Sequence, residues 1–209
     1  MTEHADVPRP LNEGDTARAV AVMASAFHQD PLWVHLVPNE AKRAGHLRRF
    51  FEFFMSTMLA MQDVHGLGNP LEAVAIWDTP EPRERPPKPP PEWAFMKLVF
   101  SPTFLVASKT SKIFDRFEQM RKVHAPERHF YLVSIGVSPG SQGKGLASRL
   151  IRHGLVDADA RGMGAYVETM TPRNVRIYEH FGFELKEKWD VPKTNLSTWA
   201  LYRAALKLP

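Results

Sequence analysis

The 209-residue chain contains no cysteine. Disulfides, thiolate nucleophiles, cysteine-ligated zinc and iron–sulfur clusters are therefore excluded. No stretch approaches the roughly 18 consecutive apolar residues of a membrane-spanning helix, so no membrane partner is expected. The first twelve residues, MTEHADVPRPLN, have neither the basic nor the apolar stretch of a secretory signal. These absences predict a soluble, cytoplasmic protein. Charge of one sign does not dominate either: 27 Lys and Arg against 23 Asp and Glu give a net +4. That excess suits an anionic small ligand as readily as a nucleic acid. The basic pairs Arg48-Arg49 and Arg121-Lys122 read as solvated helix faces, and no nucleic-acid partner is expected. Nine histidines form no metal-ligand spacing with nearby acids; His124 and His129 are five apart but straddle a loop-to-strand boundary. No metal is expected.

What is present is an ordinary globular composition, 44% hydrophobic and 24% charged. The length suits one domain over residues 1–209, as a monomer or homodimer. Apolar residues at three- and four-residue steps predict a helix over 16–27 with Asp15 as its N-cap. A second helix is expected over 40–61, and its Phe and Met stripe reads first as core and second as the wall of a substrate pocket. Short strands over 64–68 and 72–78 should turn at Gly68-Asn69-Pro70. Prolines at 80, 82, 86, 87, 89, 90 and 91 predict an extended loop inserted at about 79–93. Residues 95–108 are apolar and interrupted at Pro102. A helix over 110–123 should turn Ile113, Phe114, Phe117, Met120 and Val123 inward. HFYLVSIGV, 129–137, is apolar on both faces, as a central strand is. A helix from Gly143 to about Ala160, a strand over 165–170, a helix over 174–181 and strands over 183–191 and 197–206 complete the chain.

Chemistry concentrates in SIGVSPGSQGKGLASRLI, 134–151, which reads strand, turn, glycine-rich loop, helix. Such an arrangement aims backbone N–H groups and the positive end of a helix at one spot, an anion site. Gly143 and Gly145 would let a phosphate approach the backbone, and Lys144 would add charge. A P-loop is ruled out, because Gly143-Lys144 is followed by Gly145 and Ser138 stands where the first glycine belongs. Two readings stay open beside the one developed next. One is a dinucleotide fingerprint with Ser148 in the third glycine position and Glu168 as the ribose acid. The other is a helix that merely begins with glycine.

Gln142-Gly143-Lys144-Gly145-Leu146-Ala147 has the form Q-x-x-G-x-A and resembles the acetyl-CoA pyrophosphate loop of the GNAT N-acetyltransferase superfamily. About thirty residues on, past one strand, PRNVRIYEHFGF (172–183) resembles that family's N-x-x-x-Y-E-x-x-G-F block. The segments AIWDTPE, VSIGVSPGSQGKGLAS, YVETMTPRNVRIYEHFGF and DVPKTNLSTW are further similar to puromycin N-acetyltransferase and its small-molecule relatives. The proline-rich loop and Ala147 depart from that subgroup. The resemblance implies a GNAT fold of α/β (α+β) class. Its central, mixed, mostly antiparallel twisted sheet would have about six or seven strands. Helices would flank it, and it would splay between strands 4 and 5, here 129–137 and 165–170.

The resemblance also implies roles. Acetyl-CoA would be the cosubstrate, its pantetheine arm paired with the backbone of Ile135, Gly136 and Val137. The N–H groups of Gly143, Lys144, Gly145, Leu146 and Ala147 would hold the pyrophosphate, with Gln142 positioning the loop and Asn174 bonding the arm or capping its helix. A backbone N–H near Val137 would stabilise the oxyanion. Glu168 would remove a proton from the attacking amine and Tyr178 would protonate the departing thiolate. The acceptor implied is a small-molecule primary amine, an antibiotic or aminonucleoside-like compound among the options. A protein N-terminal or lysine acetyltransferase would share every cofactor residue, and a non-catalytic acyl-CoA sensor would lack turnover.

Overall fold

The computed structural model describes residues 7–80 and 92–206. The proline-rich loop expected at about 79–93 lies, over 81–91, outside the described residues. One sheet runs through the molecule. Its strands are β1 (Arg9–Pro10), β2 (Asp63–Leu67), β3 (Ala73–Asp78), β4 (His129–Val137), β5 (Gly164–Thr169), β6 (Glu184–Asp190) and β7 (Ser197–Arg203), in the spatial order β1-β2-β3-β4-β5-β7-β6. Every neighbouring pair is antiparallel except β4 and β5. The expected hairpin is β2–β3, in register from Asp63↔Trp77 to Leu67↔Ala73. The two-residue β1, too short for any periodicity, was not foreseen.

The parallel pair sets up the site. β4 and β5 pair only at His129↔Gly164, Phe130↔Ala165 and Tyr131↔Tyr166, then part. On its other edge β4 meets β3 with Leu132 opposite Trp77 and Ser134 opposite Ile76, which leaves Val133 as an extra residue. A bulge bends the strand and increases its twist, and here it falls two residues beyond the last β4–β5 pair. It also shifts the alternation. Phe130 and Leu132 face one layer before the bulge, whereas Ile135 and Val137 face that same layer after it. A strand that changes phase midway reads as apolar on both faces.

Helices cover both sides. On one face lie α1 (Thr16–Ala26), α2 (Pro31–Leu36), α3 (Glu40–Met61) and α6 (Ser111–His124); on the other lie α7 (Leu146–Ala160) and α8 (Pro172–His180). Phe51 and Met55 of α3 are buried against Met23 of α1 and Ile76 of β3. Phe50 lies edge-on to Trp33 with ring centroids 5.1 Å apart. The Phe and Met stripe is therefore core. Gly136 lets α1 cross β4 closely, since a Cβ there would sit 2.8 Å from Met23 Sδ. The apolar stretch interrupted at Pro102 becomes α4 (Glu92–Val99) and α5 (Pro102–Ala107), the latter capped by Ser101.

Several local expectations are corrected. Asp15 precedes α1 but makes no capping bond to it; its carboxylate pairs instead with Arg9 at 2.6 Å and accepts from the Asn12 N–H at 3.1 Å. Phe114 and Val123 of α6 face solvent, whereas Ile113, Phe117 and Met120 turn to the buried side. α2 was missed, although Asp30-Pro31 carries its signal. The Asp30 carboxylate accepts from Leu32 N–H at 3.0 Å, and proline fills the first helical position. Arg43, 3% exposed, fixes this segment by donating to the carbonyls of His28, Val37 and Pro38.

Candidate active site

After β4 the chain makes a short turn over Pro139–Ser141 and reaches Gly143 (φ +80°) and Gly145 (φ +76°) before α7 begins at Leu146. The helix starts three residues later than expected because two left-handed residues interrupt the path. A Cβ at either glycine would meet no protein atom within 4 Å. Within the protein, the backbone angle rather than crowding requires glycine. No side chain caps α7, so its first N–H groups keep their hydrogen-bonding capacity and the positive end of the helix dipole is open.

The loop is anchored from below. Ser141 Oγ donates to Glu72, and the Ser138 N–H donates to the Glu72 carbonyl at 2.8 Å. Lys144 Nζ lies 3.4 Å from the Glu72 carboxylate and 3.3 Å from Ser141 Oγ. The Ser141 hydroxyl first, and Lys144 after it, hold the Glu72 carboxyl below its usual range. Lys144 thus also braces the underside of the loop. Gln142 Nε2 donates to the Val137 carbonyl at 3.4 Å, tying the loop to the end of β4.

The loop opens on a cleft of about 650 Å³ that brings the other proposed cofactor residues together. Ile135, Gly136 and Val137 line it from β4, and Gln142, Gly143, Gly145, Leu146 and Ala147 from the loop and α7. Asn174 and Tyr178 complete it from α8. Phe27, Gln29 and Asp30 on the α1–α2 turn, together with Arg173, were not singled out in the sequence as site residues; Ser148, weighed there only as the third position of a dinucleotide fingerprint, also lines the cleft. Arg173 carried a signal, as the cation beside Asn174 in the second motif. A larger groove of about 1030 Å³ runs between α1, α3 and α4, and Pro139 is the one residue of the 134–151 stretch that reaches it.

Asn174 is not the cap of α8. Pro172 opens that helix and Thr171 precedes it, which places Asn174 inside the first turn, where its Nδ2 donates to Thr169 Oγ1 at 3.3 Å. One turn further, Tyr178 is buried against Phe183, ring centroids 5.8 Å apart, and burial pushes its hydroxyl pKa well up. It is a protonated group at neutral pH.

Glu168 does not line this cleft. Its β5 neighbours Ala165 and Val167 pack with Tyr178 and α7, and Tyr166 packs with Met120 of α6. Alternation places Glu168 with Tyr166, on the α6 face. Burial raises its carboxyl pKa to about 7. The Tyr131 and Tyr166 hydroxyls act in the opposite sense, favouring the charge, yet neither completes a hydrogen bond. Both Glu168 oxygens and the Tyr166 hydroxyl are buried without a partner. Buried polar atoms are rarely left so, and each such group calls for a ligand or water. The chain thus places an uncapped helix end and a protonated tyrosine on one side of the parted strands, and an unsatisfied carboxylate on the other. That pairing can hold an anionic group and move protons at a centre between the strands.

The profile of the Acetyltransferase (GNAT) family matches residues 71–183, more than half of the chain, and the chain belongs to that family. It is an acyltransferase, and the family uses acetyl-CoA as cosubstrate. An uncharacterized N-acetyltransferase of Schizosaccharomyces pombe is 24% identical over 196 residues, 87% of this chain and 75% of that protein. Two solved structures share the fold. The histone acetyltransferase HPA2 and related acetyltransferase from Corynebacterium glutamicum gives a TM-score of 0.66 at 19% identity, over 98% of each chain. The ribosomal-protein-S18-alanine N-acetyltransferase of Escherichia coli gives 0.55 at 13% identity, over 97% of this chain and 95% of that one.

Proposed function

We propose that the protein transfers the acetyl group of acetyl-CoA to the primary amine of a small molecule, by direct attack in a ternary complex. The observation that carries this reading is Glu168, a buried carboxylate with a pKa raised to about 7 and both oxygens unsatisfied, beside the gap between β4 and β5. An amine attacks only when neutral, and a base working near neutral pH needs a pKa in that range.

The residues fit the cosubstrate. The uncapped α7 end and the left-handed Gly143 and Gly145 suit a pyrophosphate, and the β4 edge from Leu132 to Val137, which β5 no longer pairs, suits an extended amide arm. Acetyl-CoA supplies the activated acyl group. Glu168 takes the proton from the amine nitrogen as the N–C bond forms. Backbone N–H groups of the open β4 edge face the carbonyl oxygen as it gains charge. Tyr178 gives its hydroxyl proton to the sulfur as the C–S bond breaks.

The likeness of four segments to the puromycin N-acetyltransferase subgroup supports a small acceptor over a peptide. A thiol-release assay with acetyl-CoA against amines, aminoglycosides, amino acids and short peptides tests the reading. Release with a small amine, lost in Glu168→Gln, is expected. Acetyl-CoA binding without release for any acceptor would leave a sensor, and turnover of peptides alone would make the acceptor a protein.

A further inference from the structure

The surroundings of Glu168 say more about the acceptor than the cofactor cleft does. Three buried polar atoms without partners meet on one face of the sheet: the two Glu168 oxygens and the Tyr166 hydroxyl. Tyr166 stands opposite Tyr131 across the last β4–β5 pair, ring centroids 5.9 Å apart. Towards the open end of the gap the walls turn apolar. Leu32 of α2, Ile113 and Phe117 of α6, Met170 after β5 and Trp189 of β6 gather there in one cluster.

The charges around this cluster are already engaged. Of the carboxylates on β6, Glu187 is taken by Arg116 and by His124, the latter at 2.7 Å, Glu184 by Lys186 and Asp190 by Lys188. Arg121 pairs with Asp78 at 3.8 Å and lies over the Tyr131 ring at 4.7 Å. Arg116 also lies over the Trp189 ring at 5.9 Å. An ammonium group here finds the Glu168 carboxylate in no ion pair, while Asp30 beside Leu32 is already taken by the Leu32 and Trp33 N–H groups. A second positive charge on the same molecule would meet Arg116 and Arg121 instead.

We infer that the acceptor is a primary monoamine with a compact aromatic or apolar body, its nitrogen at Glu168 and its body among Phe117, Met170 and Trp189. The inference rests on the acetyltransferase reading above and narrows its substrate class. Aromatic faces reward a flat apolar body, and desolvation of a further charge would go uncompensated.

The test compares kcat/KM for 2-phenylethylamine and tryptamine with that for spermidine, an aminoglycoside and a lysine-containing peptide, using the full chain and acetyl-CoA. The aromatic monoamines should lead by about tenfold or more, the scale of one well-filled apolar subsite. Phe117→Leu should raise the amine KM severalfold while leaving the acetyl-CoA KM unchanged, which also shows that the variant folds. Turnover that favours spermidine, the aminoglycoside or the peptide would overturn the substrate class and leave the acetyltransferase reading standing. An unchanged amine KM in Phe117→Leu would overturn the placement of the body. No turnover of any amine by protein that binds acetyl-CoA would overturn both.

Discussion

Tyr178 and Glu168 stand on opposite faces of the sheet, one on either side of the gap where β4 and β5 part. Tyr178 packs with Val167 under α7, and Glu168, the next residue along β5, turns to Tyr166 under α6. The proposed acid and base therefore do not touch one another. They can act together only on atoms lying in the gap, so their roles separate by experiment.

Replacing Tyr178 by Phe keeps the ring packed on Phe183 and removes only the hydroxyl. kcat should fall by about a hundredfold, with the acetyl-CoA KM changed by less than about twofold. A wild-type kcat in steady-state assays would take Tyr178 out of the chemistry.

Glu168 sets the pH dependence. As a base with a pKa raised to about 7, it should make kcat/KM rise with pH through a midpoint near that value, and Glu168→Gln should flatten the limb. Stability moves the other way. The folded state binds this proton more tightly than the unfolded chain, whose carboxyl keeps the ordinary 4.5. The group's contribution is thus fullest below the ordinary value and is lost as pH rises through the folded one. The loss is about 3–4 kcal/mol at most, less where solvent reaches the group. Denaturant midpoints of Glu168→Gln should lack this drop between acid and neutral pH.

Gly145→Ala forces a side chain into a left-handed backbone at the start of α7. A cost of about 1–2 kcal/mol is expected, together with weaker acetyl-CoA binding by calorimetry. Gly140→Ala is the control: it lies in the same loop without a positive φ and has open space around it, so binding should be unchanged.

Arg203 of β7 grips Asp159 of α7 through two bonds of 2.8 Å, with only 6% and 12% of the two side chains exposed. Asp159→Ala would leave a buried guanidinium without its anion, at a cost of about 3–5 kcal/mol. The melting temperature should drop by several degrees, while kcat measured on the folded fraction stays near wild type.

Much of this was legible in the sequence where a single local rule decides. Gly143 and Gly145 announced the loop, and the phase of apolar residues gave α3, β4 and α7 to within a few residues. What escaped depends on partners distant in sequence. The bond from Lys144 to Glu72, brought alongside by the β3–β4 pairing, is invisible in the local sequence. Asn174 could be read as a cap only by passing over Pro172, which like Pro31 marks the first helical position. That Glu168 and Tyr178 fall on opposite faces follows from strand alternation. The gap that lets both reach one centre opens beside a bulge in the β3–β4 pairing, and HFYLVSIGV gives no local sign of either.

Val133 is that extra residue. A chain lacking it would restore a regular ladder with β3 but turn Ile135 and Val137 away from the layer in which they now pack. The extra residue thus lets one strand present apolar side chains to the same layer along its whole length, on both sides of the point where its neighbour leaves it.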